Sequence, residues 1–132
     1  MSYSTTTNNA RRGDRYRETA VLSATPGELI ILVYDHLLTC LLRGRQAVVA
    51  KNLDVRHTEF SRARDAVAEL LATLDRERGG QVASQLSGLY TFFLRELTTL
   101  GLEPDLDRLD RVIAMVRELR EAFTAIQQGA NK

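Results

Sequence analysis

The sequence predicts an all-α fold, an antiparallel up-down-up-down four-helix bundle preceded by a mobile N-terminal segment. Two observations carry this. Apolar residues recur at intervals of three and four through four consecutive segments, and no alternating strand pattern competes with them. Short connections separate the segments, so neighbours in sequence are expected to be antiparallel neighbours in space. A chain of 132 residues suits one domain, and we divide it into an arm over residues 1–24 and a bundle over 25–132.

The arm is rich in Ser, Thr and Asn and then in Arg. Arg11, Arg12, Arg15 and Arg17 against Asp14 and Glu18 leave it a net charge of +2. Its apolar points are Tyr3, Tyr16 and the pair Val21–Leu22. Such a composition buries too little to order itself alone. Tyr16, Val21 and Leu22 stand directly ahead of the helix with the widest apolar arc. They are therefore expected to lie over an apolar groove as a displaceable cover.

The first helix opens at "TPGEL". Thr25 suits the N-cap, Pro26 the first helical position, and Glu28 the third, where it can reach back to the cap amide. The helix is expected to run to about Ala50. The second should start at Asn52 or Asp54 and end at Gly79–Gly80, with Phe60, Ala63, Val67, Leu70 or Leu71, and Leu74 as its stripe. The third should run from Gln81 to Leu100 and stop at Gly101, with a stripe of Val82, Leu86, Leu89, Phe93, Leu97 and Leu100. The fourth should start near Pro104–Asp105 and bury Leu109, Val112, Val116, Leu119, Phe123 and Ile126.

The apolar arcs are unequal. On a helical wheel the second helix shows an apolar arc of about 100°, enough for one buried stripe, and the first helix about twice that. Leu29, Ile30, Val33, Leu37 and Cys40 share one side of the first helix, and Ile31, Tyr34, Leu38 and Leu42 lie beyond it. Phe92 sits outside the main stripe of the third. Two explanations stand at this point. The first helix is the most buried member of the bundle, or Ile31, Tyr34, Leu38, Leu42 and Phe92 belong to a groove that receives an amphipathic partner.

Several function classes find no support. The 18 basic and 17 acidic residues nearly cancel, so strong attraction to nucleic acid is not indicated. The apolar run of the first helix is interrupted by Asp35, His36 and Thr39 and is too short for membrane insertion. No secretory signal core precedes it, and a cytoplasmic location is expected. Cys40 is the sole cysteine and falls on the apolar side, as a small core residue would. His36 and His57 lack the Glu-x-x-His spacing of a bundle metal site. Gly79–Gly80 joins two helices and is no phosphate loop. No cofactor, no metal and no enzymatic activity are expected. Two alternatives to a binding module are a histidine-phosphotransfer-like bundle using His36, for which Arg43 and Gly44 are poor neighbours, and a structural homo-oligomer.

The residues also carry a family resemblance. Tyr16, Val21, the run Ser23–Ala24–Thr25–Pro26–Gly27–Glu28–Leu29 and then Val33–Tyr34–Asp35 resemble the N-terminal pattern of the flagellin export chaperone family, FliS. "ELLATLDRERGGQVASQLSGLYTFFLREL" and "VRELREAF" resemble its middle and C-terminal regions, with Phe123 where Trp is common and His36 where Gly is common. The resemblance spans about residues 16 to 127. It implies a four-helix bundle of the cytosol that binds the disordered C-terminal segment of flagellin. It implies that this binding blocks premature polymerisation before type III export, and that the N-terminal segment covers part of the binding surface. Other flagellar export or regulatory proteins are further expected partners. The free protein is expected to be a monomer or weak homodimer.

Overall fold

The computed structural model describes residues 23–130. Within them four helices follow one another: α1 (Pro26–Ala50), α2 (Leu53–Ala72), α3 (Arg76–Leu102) and α4 (Leu106–Ala130). Tyr16, Val21 and Leu22 lie outside the described residues.

Side chains that accept from backbone amides set all four starts. Thr25 takes the Glu28 amide, Asn52 the Val55 amide and Asp75 the Arg78 amide. Asp105 likewise accepts from the Arg108 amide at the start of α4. Each acceptor satisfies one of the amides that a first helical turn leaves unpaired. α1 closes at Lys51 in the left-handed conformation, which lets the chain reverse into α2 at once.

Two boundaries differ from the sequence expectation. α2 ends at Ala72, with Thr73 as its cap, and not at Gly79–Gly80. The next helix starts at Arg76, five residues before the expected Gln81, because the Asp75 carboxylate caps a new turn. Gly80 then breaks that turn from the rest of α3, with φ 51° and ψ −123°. At the other end α3 passes through Gly101, which is buried with its carbonyl accepting from Arg56 on α2.

α1 packs against α2 and α4, and α3 against α2. The α3–α4 contact is much the sparsest of the four sides. The antiparallel sense of α1 and α4 shows in three cross-links along them: Thr25 to Gln127, Asp35 to Arg120, and Arg45 to Asp110. The core is one cluster drawn from all four helices. Its largest wholly buried members are Tyr34, Tyr90, Phe60 and Phe93. Among the described residues no helix is long and apolar enough to cross a membrane.

Candidate functional site: an open seam between two helices

α1 is buried over the face that carries Tyr34, Leu37, Cys40, Leu41, Gly44 and Ala47. Gly44 serves a close approach here. A Cβ at this position would stand 3.2 Å from the Phe60 ring of α2. Tyr34, expected at the outer margin, lies instead at the centre, with no exposed surface. Its hydroxyl shares a 2.6 Å hydrogen bond with that of Tyr90 on α3, and its ring rests against Phe123 of α4 at 5.4 Å between centroids. Burial of a phenol is tolerable when its hydroxyl has a partner, and the partner comes from a helix 56 residues away in sequence. Burial and the Tyr90 hydroxyl push the Tyr34 phenol well above its usual range; burial pushes Tyr90 upward too. Both remain neutral hydrogen-bonding groups at physiological pH.

The other α1 positions divide differently. Ile31 and Leu38 are half-buried, and Leu42 is 38% exposed. With about 100° per residue these three fall within about 40° of one another, on the flank of the buried face. Two ion pairs to α4 stand beside this row, one within its length and one just beyond Leu42. Arg120 donates to Asp35, and Arg45 reaches Asp110 through two bonds of 2.7 and 3.1 Å. The hydrogen bonds hold Arg45 and Arg120 above the usual guanidinium range and Asp110 below the usual carboxylate range.

A second apolar opening lies between α3 and α4. Near one end it is closed by Arg108, which donates to Glu96 through bonds of 3.1 and 2.6 Å. On α3, Val82, Gln85, Leu89, Phe92 and Glu96 share a sector of about 80°; on α4, Arg108, Met115, Leu119, Ala122 and Ile126 share one of about 60°. Glu96 and Arg108 meet, so these two sectors face the seam. Away from that pair Phe92 is 41% exposed, Val82 63% and Ile126 67%, whereas Leu89, Met115 and Leu119 are half-buried against the core. Val82 and Ile126 were expected in the buried stripes of their helices. They are exposed because α3 and α4 do not close on each other where these residues stand.

The seam ends in a cavity of about 290 Å³. Ile30, Leu74, Val82, Leu86, Tyr90 and Phe123 supply most of its apolar wall, with Asp75 and Arg78 at its edge. Gln127 of α4 crosses beside it to the start of α1 and donates to the Thr25 hydroxyl at 3.2 Å. A Cβ on Gly27 would lie 2.0 Å from the Gln127 Oε1. The "TPGEL" run therefore serves two helices: Thr25 caps α1 and binds α4, and Gly27 leaves room for the side chain that does so.

Nothing at this surface resembles a reactive centre. The Cys40 thiol is buried, 3.7 Å from His36 Nε2, and burial followed by the nearby Glu59 carboxylate pushes it up to about 11. A thiol so shifted is a poor nucleophile. Glu59 itself is a feature that the sequence did not reveal. It is buried in α2 with Oε2 unpartnered, as is Nε of Arg56 one turn earlier. Among the described residues no group of three or more His, Cys, Asp or Glu side chains is placed to hold a metal ion.

The surface is thus an apolar seam with a cavity at its end. The sequence matches the family described as flagellar protein FliS over residues 7–130. It is 34% identical to the flagellar secretion chaperone FliS of Campylobacter jejuni over 80% of this chain and 82% of that one. It is 30% identical to that of Salmonella typhimurium over 86% and 85%, and 25% identical to that of Bacillus subtilis over 89% and 86%.

Proposed function

The chain belongs to the FliS family of flagellar secretion chaperones, and from that premise we infer that it binds the disordered C-terminal segment of flagellin in the cytoplasm. It holds that segment as helices against its own apolar surface and so delays polymerisation until export. The observation that supports this reading is the open seam between α3 and α4. Val82, Phe92 and Ile126 stand exposed along a seam that ends in a cavity, and exposed apolar surface of this kind marks an interaction site. An amphipathic helix laid in such a groove buries it.

Phe92 contributes directly from the seam in this reading. Ile31, Leu38 and Leu42 form a second strip that a wrapping segment reaches, whereas Tyr34 supports the floor from beneath. Tyr16, Val21 and Leu22 act as a cover that the partner displaces. A few apolar side chains contribute about 1.5–3 kcal/mol each when fully buried. Ordering the backbone costs about 1–2 kcal/mol per residue, so the balance of such a cover lies near zero.

Titration calorimetry and circular dichroism on the chain mixed with a peptide of the host flagellin's C-terminal segment test the reading. Coupled folding predicts a negative heat-capacity change and added helical signal. No heat and no added helicity at high micromolar concentration would reject it. For the cover, amide exchange at Arg17 to Leu22 should be slowed in the free chain and altered by the peptide; random-coil exchange in both states would remove that element alone.

A further inference from the structure

The cavity at the end of the seam has a construction that generic groove binding does not require. One wall is formed by Thr73, Leu74 and Asp75 together with Arg78 and Gly79 of the single turn Arg76–Gly79, which is jointed to the rest of α3 at Gly80. Two adjacent glycines serve this turn in different ways. Gly79 allows contact, since a Cβ there would stand 2.7 Å from that of Ala83 in the next turn. Gly80 allows the bend. Its φ of 51° with ψ of −123° is a conformation that other residues rarely adopt, and a Cβ there would meet nothing within 4 Å. The turn is therefore set beside the cavity by the bend at Gly80, and it is held to the rest of α3 by the close approach of Gly79 to Ala83 and by the Arg76 guanidinium donating to the Ser87 hydroxyl at 3.2 Å.

We propose that this turn is a lid over an anchor cavity, and that the cavity takes one large aliphatic or aromatic side chain from the end of a bound flagellin helix. The assignment rests on the chaperone reading above. Size supports it: an apolar cavity of about 150 Å³ already accommodates benzene, and this one has about 290 Å³. The charge pattern supports it as well. From Val82 to Leu89 and Phe92 on α3, and from Met115 to Ile126 on α4, the residues facing the seam carry no charge. Charges appear only at its two ends, Asp75 with Arg78 of the lid turn itself at one and Glu96 with Arg108 at the far closure. The interval from Val82 to Glu96 is about 21 Å of helix, so the occupant is a helical segment of about 14 residues. It presents an uncharged apolar face and carries its anchor at the lid end. The chain's own segment 1–22 matches this less well. Its apolar residues Tyr3, Tyr16, Val21 and Leu22 do not form a continuous helical stripe, and arginines stand among them.

The test is the affinity of the full chain for a peptide of the host flagellin's C-terminal segment, compared across variants. Val82→Glu puts a charge at the cavity rim on a side chain that is already exposed, so the fold should survive. Gly80→Ala disturbs only the backbone setting of the lid, and a thermal melt checks that the bundle persists. Val55→Glu, an exposed apolar position in the first turn of α2, is the control. Both seam variants should weaken binding by about tenfold or more, with the control unchanged. If the unmodified chain binds but Val82→Glu binds equally well, the anchor assignment is overturned while the chaperone reading stands, and the cavity falls to the chain's own segment 1–22 or a second copy. If Gly80→Ala alone binds as the unmodified chain does, the lid is overturned. If the unmodified chain fails to bind, both readings fall.

Discussion

The α1–α2 contact and the α3–α4 contact are built from similar residues with opposite results. Between α1 and α2 a glycine meets a phenylalanine, so the two backbones come close around Leu37, Cys40, Leu41, Phe60 and Ala63. Between α3 and α4 the aligned residues are as apolar, yet one ion pair near Glu96 and Arg108 is the main closure and the rest stays open. Hydrophobic periodicity places residues on a face but does not decide whether two faces meet. The lesson is that one side of this bundle is closed into the core and another is left open.

Substitutions should separate the two sides. Phe60→Ala empties the centre of the closed contact and is expected to cost about 3–5 kcal/mol in denaturant melts. A smaller loss would mean that α1 and α2 collapse onto the gap.

Tyr34→Phe is the next largest. It leaves the Tyr90 hydroxyl buried without its partner, at an expected cost of about 1–3 kcal/mol. The same pair sets an alkaline limit. Both phenols are pushed upward in the folded chain, whereas in the unfolded chain they ionise near the ordinary value of 10.0. Above that pH the unfolded state binds fewer protons than the folded state, so stability falls as pH rises. Below it the contribution is complete. Melts across this range should show the fall in the parent chain and a shallower one in Tyr34→Phe; a parent chain indifferent to pH would contradict the burial of the two phenols.

Thr25→Ala removes the N-cap of α1 and the acceptor for Gln127 together, with an expected loss of about 0.5–2 kcal/mol. An unchanged melt would refute the cap. Smallest of all for stability is Phe92→Ala in the open seam, expected within about 0.5 kcal/mol of the parent. Its effect should appear instead in weaker binding of the flagellin segment. A large loss of stability there would show that the seam is part of the core after all.

Much of the fold was legible because helix starts and stripes are local properties. The caps at Thr25 and Asn52 and the core positions Leu37, Phe60, Val67, Phe93, Leu97 and Val116 follow from spacing and side-chain chemistry alone. The errors share a cause, which is that they depend on distant residues. Tyr34 goes inward because Tyr90 receives its hydroxyl. Val82 and Ile126 go outward because their two helices diverge. The end of α2 was misplaced because a pair of glycines reads as a stop, while Asp75 had already capped a new turn before them. Phe92 was singled out from its place outside the stripe, and it stands exposed in the seam. The cavity and its jointed wall had no local signature beyond the glycines themselves.

Amide hydrogen exchange of the whole chain, with and without the flagellin C-terminal segment, tests most directly the claim that one side is core and the other is a binding surface. Arg78 to Phe92 in α3 and Met115 to Ile126 in α4 should exchange more slowly once the segment is bound, while Phe60 to Leu70 in α2 should keep the same protection in both states. Slowing confined to α2, or no change in α3 and α4 at saturating peptide, would contradict the account.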